Sequence, residues 1–323
     1  MSRLDTTTRS PVTKPLGRFV EACGHLGLLA TAFCLLAPFF WWADNATHFR
    51  WQYCVWMLPA VALWLVRKRW WAAVPGCAAI AWHGALLLPL YWPPAPRFDP
   101  ARPVFTVVLL NVLTSNERYD EVVRFLQSTP ADLVVLQEIN TAWVRHLRPW
   151  SATFATQREE PAENNFGLGV YVRDSRASVQ ISPLPANPTL SLAVEVMFDG
   201  TPLHVLAVHP LPPVGNFNWR ARNHHFAAMA RWSQSGQGNA VIVGDLNCTP
   251  WSPFFRQLLR DSATRHAREG TGLLASWPVG ASVLSIPLDT VLTQEKVHVI
   301  SARTGPDLGS DHRAVIVQLQ RRV

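Results

Sequence analysis

Residues 104–323 predict an α/β fold, two packed mixed sheets with outer helices. Three observations predict it. Short β-branched runs alternate with amphipathic stretches, an Asp199-Gly200 pair joins two runs as a hairpin, and several apolar runs end in polar residues. Gly244-Asp245-Leu246-Asn247 shows the last pattern most plainly. It follows Ala240-Val241-Ile242-Val243, which suits a buried strand, and presents a carboxylate and an amide where that strand ends. In an open α/β sheet, ligands bind in the crevice outside such strand ends.

Taken in order, residues 1–18 form a polar lead with Arg3, Arg9, Lys14 and Arg18. Three apolar stretches follow at 22–43, 51–66 and 70–92, predicting a three-helix transmembrane anchor over 19–92. The first and third meet the length of about 20 residues that a span needs; the second is shorter but uncharged. Trp41, Trp42, Trp51, Trp70, Trp71 and Trp92 sit at stretch ends, where an interfacial aromatic belt belongs. These flanks favour an uncleaved anchor over a soluble bundle or a cleaved signal peptide. Arg67-Lys68-Arg69 and the basic lead point to the cytoplasm by the positive-inside rule. Three crossings then place the C-terminal domain on the extracytoplasmic face of a multi-pass bacterial inner-membrane protein. Pro93, Pro94, Pro96, Pro100 and Pro103 mark residues 93–103 as a stiff linker and domain boundary.

Beyond the linker, strands are expected at 104–110, 133–136, 166–173, 190–198, 203–208, 240–243, 283–292 and 314–319. Helices are expected at 119–127, around 220–232, and after Ser252-Pro253, an N-cap followed by Pro at the first helical position.

Charge separates the two regions. Residues 1–100 carry 9 Lys/Arg and 4 Asp/Glu, whereas the remaining 223 carry 20 and 18. The C-terminal domain therefore lacks the basic surplus of a duplex-binding surface. Four of the 5 cysteines lie in the apolar stretches, and no spacing suggests zinc.

The polar residues at strand ends are Asn111, Glu138, His209, Asp245 and Asn247. Asp289 interrupts the apolar run Pro287–Leu292, where a buried carboxylate needs a partner, and His312 is the obvious one. Asp311 precedes it in Ser310-Asp311-His312. Carboxylates and amides gathered without lysines suit a hard divalent cation, which takes oxygen ligands and keeps several waters.

The ordered set LLNVL, LQEI, VLAVHP, VGDLN, LDTVL and GSDHR resembles the endonuclease/exonuclease/phosphatase superfamily over about residues 103–320. The resemblance implies a four-layer α/β sandwich and a metal-dependent phosphoric ester hydrolase using Mg²⁺, with Mn²⁺ as the alternative. By resemblance, Glu138 is the main metal carboxylate, with Asn111 binding or organising the ion and Asp311 supporting it. His209 would contact the phosphate and assist the leaving oxygen. Asp245 would orient or deprotonate the attacking water, and Asn247 would hold that water or a phosphoryl oxygen. Asp289 would fix the ring of His312. Leu113 departs from the acidic residue that AP endonucleases carry there, which argues against that branch. Arg220 and Arg222 offer either a phosphate contact or a solvated helix face.

The anchored arrangement resembles the membrane-anchored bacterial branch of the superfamily, including proteins associated with teicoplanin resistance. That implies a membrane lipid or lipid-linked phosphate as substrate. The loops at 215–219 and 273–278, with Phe217, Trp219 and Trp277, are expected either to dip into the interface or to pack in the core. The same chemistry on DNA or RNA is the alternative, and a non-catalytic membrane scaffold the second.

Overall fold

Four helices precede the first strand in the computed structural model, which describes residues 13–94, 97–185 and 188–322. Arg3 and Arg9 of the polar lead, and Ala95-Pro96 of the linker, lie outside the described residues. The helices are α1 (Thr13–Cys34), α2 (Trp41–Thr47), α3 (Arg50–Val66) and α4 (Trp70–Leu87), the last continued by a 3₁₀ turn over Leu88–Leu90. The first apolar stretch is thus not one helix. Its helix starts earlier, at Thr13, and stops at Cys34; a turn then leads to the separate short α2.

Among the described residues one helix, Trp70–Leu90, 21 residues long, is long and apolar enough to cross a membrane, with a mean hydropathy of 1.5 over its most apolar 18-residue window. The other two long helices fall short for visible reasons. α1 carries Arg18 and Glu21, and α3 has only 17 residues and begins at Arg50. Glu21 is tied to Arg67 at 3.0 Å and Arg69 at 2.8 Å, fastening α1 to the loop between α3 and α4. Ala60, Val61, Trp64, Ala72 and Ala73 form the apolar seam of this bundle.

The rest of the chain alternates as its sequence suggests: β1 (Phe105–Asn111), α5 (Tyr119–Ser128), β2 (Leu133–Gln137), α6 (Thr141–Ser151), β3 (Thr156–Glu160), β4 (Leu168–Val172), β5 (Ser178–Ile181), β6 (Ser191–Phe198), β7 (Thr201–Val208), α7 (Gly215–Gln234), β8 (Ala240–Asp245), α8 (Pro253–Ser262), β9 (Thr264–His266), β10 (Asp289–Gln294), β11 (Val297–Thr304) and β12 (Val315–Arg321). Two mixed sheets result, ordered β11-β12-β1-β2-β4-β3 and β5-β6-β7-β8-β10-β9. Each has one parallel pair at its centre, β1 with β2 and β7 with β8, flanked by antiparallel neighbours.

Period-2 burial explains the layering. Val107, Leu109, Val135, Val205, Val243 and Val317 fill the space between the sheets. The alternate residues Val108, Leu110, Val134 and Leu136 face Phe125, Trp143 and Leu147 of α5 and α6. On the other sheet, Leu206, Val208 and Ile242 meet Phe226, Met229 and Phe255 of α7 and α8. Helices therefore cover both outer faces of the two sheets, giving the expected four layers.

Some expected boundaries move. Residues 283–288 are not strand: Ile286 makes only an isolated bridge to Trp277, and β10 starts at Asp289. The linker is held at its described end, where Gln320 Nε2 donates to the carbonyls of Asp99 at 2.7 Å and Arg102 at 3.2 Å.

Candidate active site

Both parallel pairs end at the same rim, and that is where the polar residues gather. Asn111 and Gln137 are register partners at the ends of β1 and β2; Asp245 and Asp289 are partners across β8 and β10. Gln137 sets the separation of the sheets there. Its Nε2 donates to Val208 O at 2.7 Å and its Oε1 accepts from Asp245 N at 3.0 Å, so one buried amide spans both. Gly244 permits the close approach of β7 and β8, since a Cβ there would lie 2.0 Å from Val208 O.

From the first sheet comes Glu138, just past β2, in a left-handed backbone with φ of 61° that few non-glycine residues adopt. Its Oε1 accepts from Asn111 Nδ2 at 2.8 Å and its Oε2 from Thr114 N at 3.3 Å. Burial raises its pKa, and these two bonds oppose the rise. Asn111 is fully committed: its Oδ1 also accepts from Leu113 N at 3.0 Å. It therefore steadies the Glu138 carboxylate from behind, the organising place among the two roles expected of it. Asp311 accepts from Trp277 Nε1 at 2.9 Å and sits on the cavity wall beside Glu138.

A chain of proton-bearing groups bridges the two sheets, with Asp289, Asp245 and His209 from the second and His312 from the loop before β12 of the first. Asp289 Oδ2 lies 2.8 Å from His312 Nδ1, and His312 Nε2 lies 3.6 Å from Asp245 Oδ2. His209 Nε2 approaches the same oxygen at 3.8 Å. Burial opposes charge on His312, but Asp289 and Asp245 outweigh it and raise its pKa to about 10. Burial has the opposite outcome at the other two groups. It lifts Asp245 to about 7 despite the nearby His312, and it drops His209 to about 3. His312 is thus an imidazolium and His209 a neutral imidazole at neutral pH. Asn247, with a φ of 49°, accepts through its backbone geometry a tight turn in which its N–H donates to Asp245 Oδ1 at 2.8 Å.

These residues surround one cavity of about 530 Å³. Glu138, His209, Asp245, Asn247, Asp311 and His312 line it, while Asn111 and Asp289 stand directly behind, both with 0% exposure. All eight residues expected from the sequence are therefore brought to one place. Three further contributors carry weak sequence signals: Asn164, Asn165 and Phe166 from a loop before β4. A fourth group gives no signal at all, Asn45, His48 and Phe49 of the N-terminal helical region, which also line the cavity.

Of the two helix arginines, Arg220 takes the solvated helix face and Arg222 fits neither expectation. Arg222 is fully buried in an ion pair with Asp44, and Arg220 is exposed. Arg173 donates to Ala131 O at 2.6 Å and serves the fold. Trp219 and Trp277 also turn inward, to Asp44 and Asp311, whereas Phe217 is exposed.

The wall holds three carboxylates and no Lys or Arg. Such a surface repels an anion unless a cation intervenes, and oxygen donors of this kind fit a hard metal ion. Asp245, Asp289 and His312 also offer ligand atoms within 4.8 Å of one another, a group that could hold a metal.

The Endonuclease/Exonuclease/phosphatase family profile matches residues 108–312. The chain belongs to this family. Its enzymes are metal-dependent hydrolases, and so is this one. Among solved structures, D. rerio TDP2 complexed with single strand DNA product is 17% identical, with a TM-score of 0.56 over 67% of this chain and 98% of that one. The human Nocturnin catalytic domain with bound sulfate is 15% identical, TM-score 0.55, over 68% and 96%. The 3' phosphatase NExo from Neisseria, bound to product DNA hairpin, is 16% identical, TM-score 0.54, over 66% and 98%. At these identities the likeness shows the fold. A search of curated protein sequences finds no match.

Proposed function

We propose that this family member is a membrane-anchored, Mg²⁺-dependent phosphohydrolase acting on lipid phosphates or pyrophosphates at the extracytoplasmic face. The observation that carries the reading is the composition of the cavity: carboxylates of the catalytic domain on one side, anchor residues on the other, and no cationic side chain except protonated His312. The basic lead and the 67–69 loop, read with the tryptophan flanks, support three crossings and the outward orientation.

Glu138 and Asp311 would hold the ion, with Asn111 fixing the Glu138 carboxylate. A divalent cation held there would supply neutralisation of charge on the phosphoryl oxygens. Asp245 orients the attacking water and takes its proton, as a carboxylate with a pKa near 7 can. The water oxygen bonds to phosphorus as the bond to the leaving oxygen breaks. Imidazolium His312, fixed by Asp289, donates a hydrogen bond to a phosphoryl oxygen. Asn247 holds the water or the phosphoryl group, and neutral His209 faces the leaving oxygen.

A phosphate-release screen tests the assignment, using the full chain in vesicles with polyprenyl pyrophosphate, phosphatidic acid or DNA, with and without Mg²⁺. Release from a lipid phosphate that depends on Mg²⁺ and disappears in Asp245→Asn is expected. Nicking of plasmid DNA with steep salt dependence, and no lipid turnover, would establish the nuclease alternative instead.

A further inference from the structure

A carboxylate of the anchor is sealed inside the catalytic domain. Asp44, on α2, has 0% exposure, and its Oδ2 pairs with Arg222 of α7. The same oxygen accepts from Trp219 Nε1 at 3.2 Å, and Oδ1 accepts from Ser252 Oγ, the N-cap of α8, at 2.7 Å. Asn45 Nδ2 adds a bond to Pro213 O at 3.0 Å, and Trp51 Nε1 one to Ser285 O at 3.1 Å. Burying both charges of an ion pair is costly unless the remaining bonding groups are satisfied. Here every oxygen of Asp44 is satisfied by the other region of the chain. The contact therefore fixes α2 in one place on the rim.

That place is the cavity. Asn45, His48 and Phe49 line it together with Asp245 and His312. His48 is 7% exposed, and its Nε2 is buried with no hydrogen-bond partner. Burial drops its pKa to about 4, so it is a neutral imidazole able to exchange a hydrogen bond with a ligand. A buried ring nitrogen without a partner is unusual in a folded protein, and a bound group would satisfy it. Arg50, next but one in sequence, is 1% exposed and makes no ion pair with a described carboxylate. The loops that Asn45 and Trp51 hold expose Val214, Val283 and Leu284, and the first turn of α7 exposes Phe217. An apolar collar of this kind fits a lipid interface.

We propose that the anchor recognises the substrate as well as tethering the enzyme. His48, Asn45 and Phe49 contact the lipid-linked side of a phosphate ester or pyrophosphate while the catalytic domain works on the phosphorus, and Asp44 is the positioning residue that holds this wall in place. The inference rests on the phosphohydrolase reading and adds to it the part of the protein that selects the substrate.

The test compares two substrates on the intact chain in phosphatidylcholine vesicles: a polyprenyl pyrophosphate in the bilayer and p-nitrophenyl phosphate in solution. The readout is the ratio of the two kcat/KM values. His48→Ala is expected to lower that ratio about ten-fold, the size of one lost hydrogen bond, through KM for the lipid and not through kcat. Phe49→Ala should lower it in the same sense. Asp44→Ala should reproduce the fall, and Asp44→Asn, which keeps acceptors for Ser252 and Trp219, should restore part of it. Equal losses on both substrates would mark the contact as purely structural, and an unchanged ratio would remove the wall from recognition; either overturns the proposal. If the unsubstituted protein hydrolyses neither substrate, the phosphohydrolase reading itself fails, a result read before any variant is compared.

Discussion

The two sheets deliver the same kinds of side chain to the rim, yet the environments they create differ. On the first sheet, Glu138 is bonded by neutral donors, Asn111 and Thr114 N, and faces the cavity beside Asp311. No Lys or Arg of the cavity wall neutralises it, so it would be available to an ion. On the second sheet, Asp289 is spent on His312 at 2.8 Å, and the imidazolium formed there sits 3.6 Å from Asp245. Charge in that half is balanced internally, by a proton. Under the proposed roles, the carboxylates would divide into ion-holding and acid–base groups according to whether a histidine stands behind them, and His312, from the loop before β12 of the first sheet, reaches across to both carboxylates of the second.

The largest expected effect breaks the second half. Asp245→Asn keeps the shape but removes the base, and kcat should fall on the order of 10³-fold, measured by phosphate release. Next, Gln137→Ala cuts the amide that joins the sheets, leaving Val208 O and Asp245 N unpaired in the interior. About 2–3 kcal/mol of stability should be lost, read from denaturant unfolding of the full chain. A smaller effect belongs to the first half. Asn111→Ala should weaken Mg²⁺ affinity about 10- to 100-fold, because it frees the Glu138 carboxylate to rotate, while saturating Mg²⁺ recovers most of the rate. Arg220→Ala, on an exposed helix face, should change stability by less than about 0.5 kcal/mol and leave Mg²⁺ affinity as it was.

The rim was legible because strand ends are legible. Apolar runs halting at Asn111, Glu138, His209 and Asp245 announce both a buried strand and a polar residue beyond it. Asp289 betrayed itself by lying inside such a run. What escaped was of two kinds. Short edge strands such as Thr156–Glu160 and Ser178–Ile181 carry mostly polar, half-exposed residues, so no alternation marks them. The second kind is contact across sequence. Asp44 meets Arg222 at a separation of 178 residues, and neither residue's neighbours foretell the other. Arg222 consequently read as a phosphate contact or a solvated face when it is the buried partner of Asp44 on α2. The first apolar stretch misled for a related reason: hydropathy averages over the turn between Cys34 and Trp41, where the chain breaks the helix to place α2 on the rim.

The division of labour between the sheets is tested most directly by Mg²⁺ binding to Glu138→Gln and Asp245→Asn, measured calorimetrically on the full chain. The account expects Glu138→Gln to weaken binding more than about ten-fold and Asp245→Asn to change it less than about three-fold. Loss of Mg²⁺ affinity in Asp245→Asn with affinity retained in Glu138→Gln would contradict it, moving the ion to the Asp245, Asp289 and His312 group.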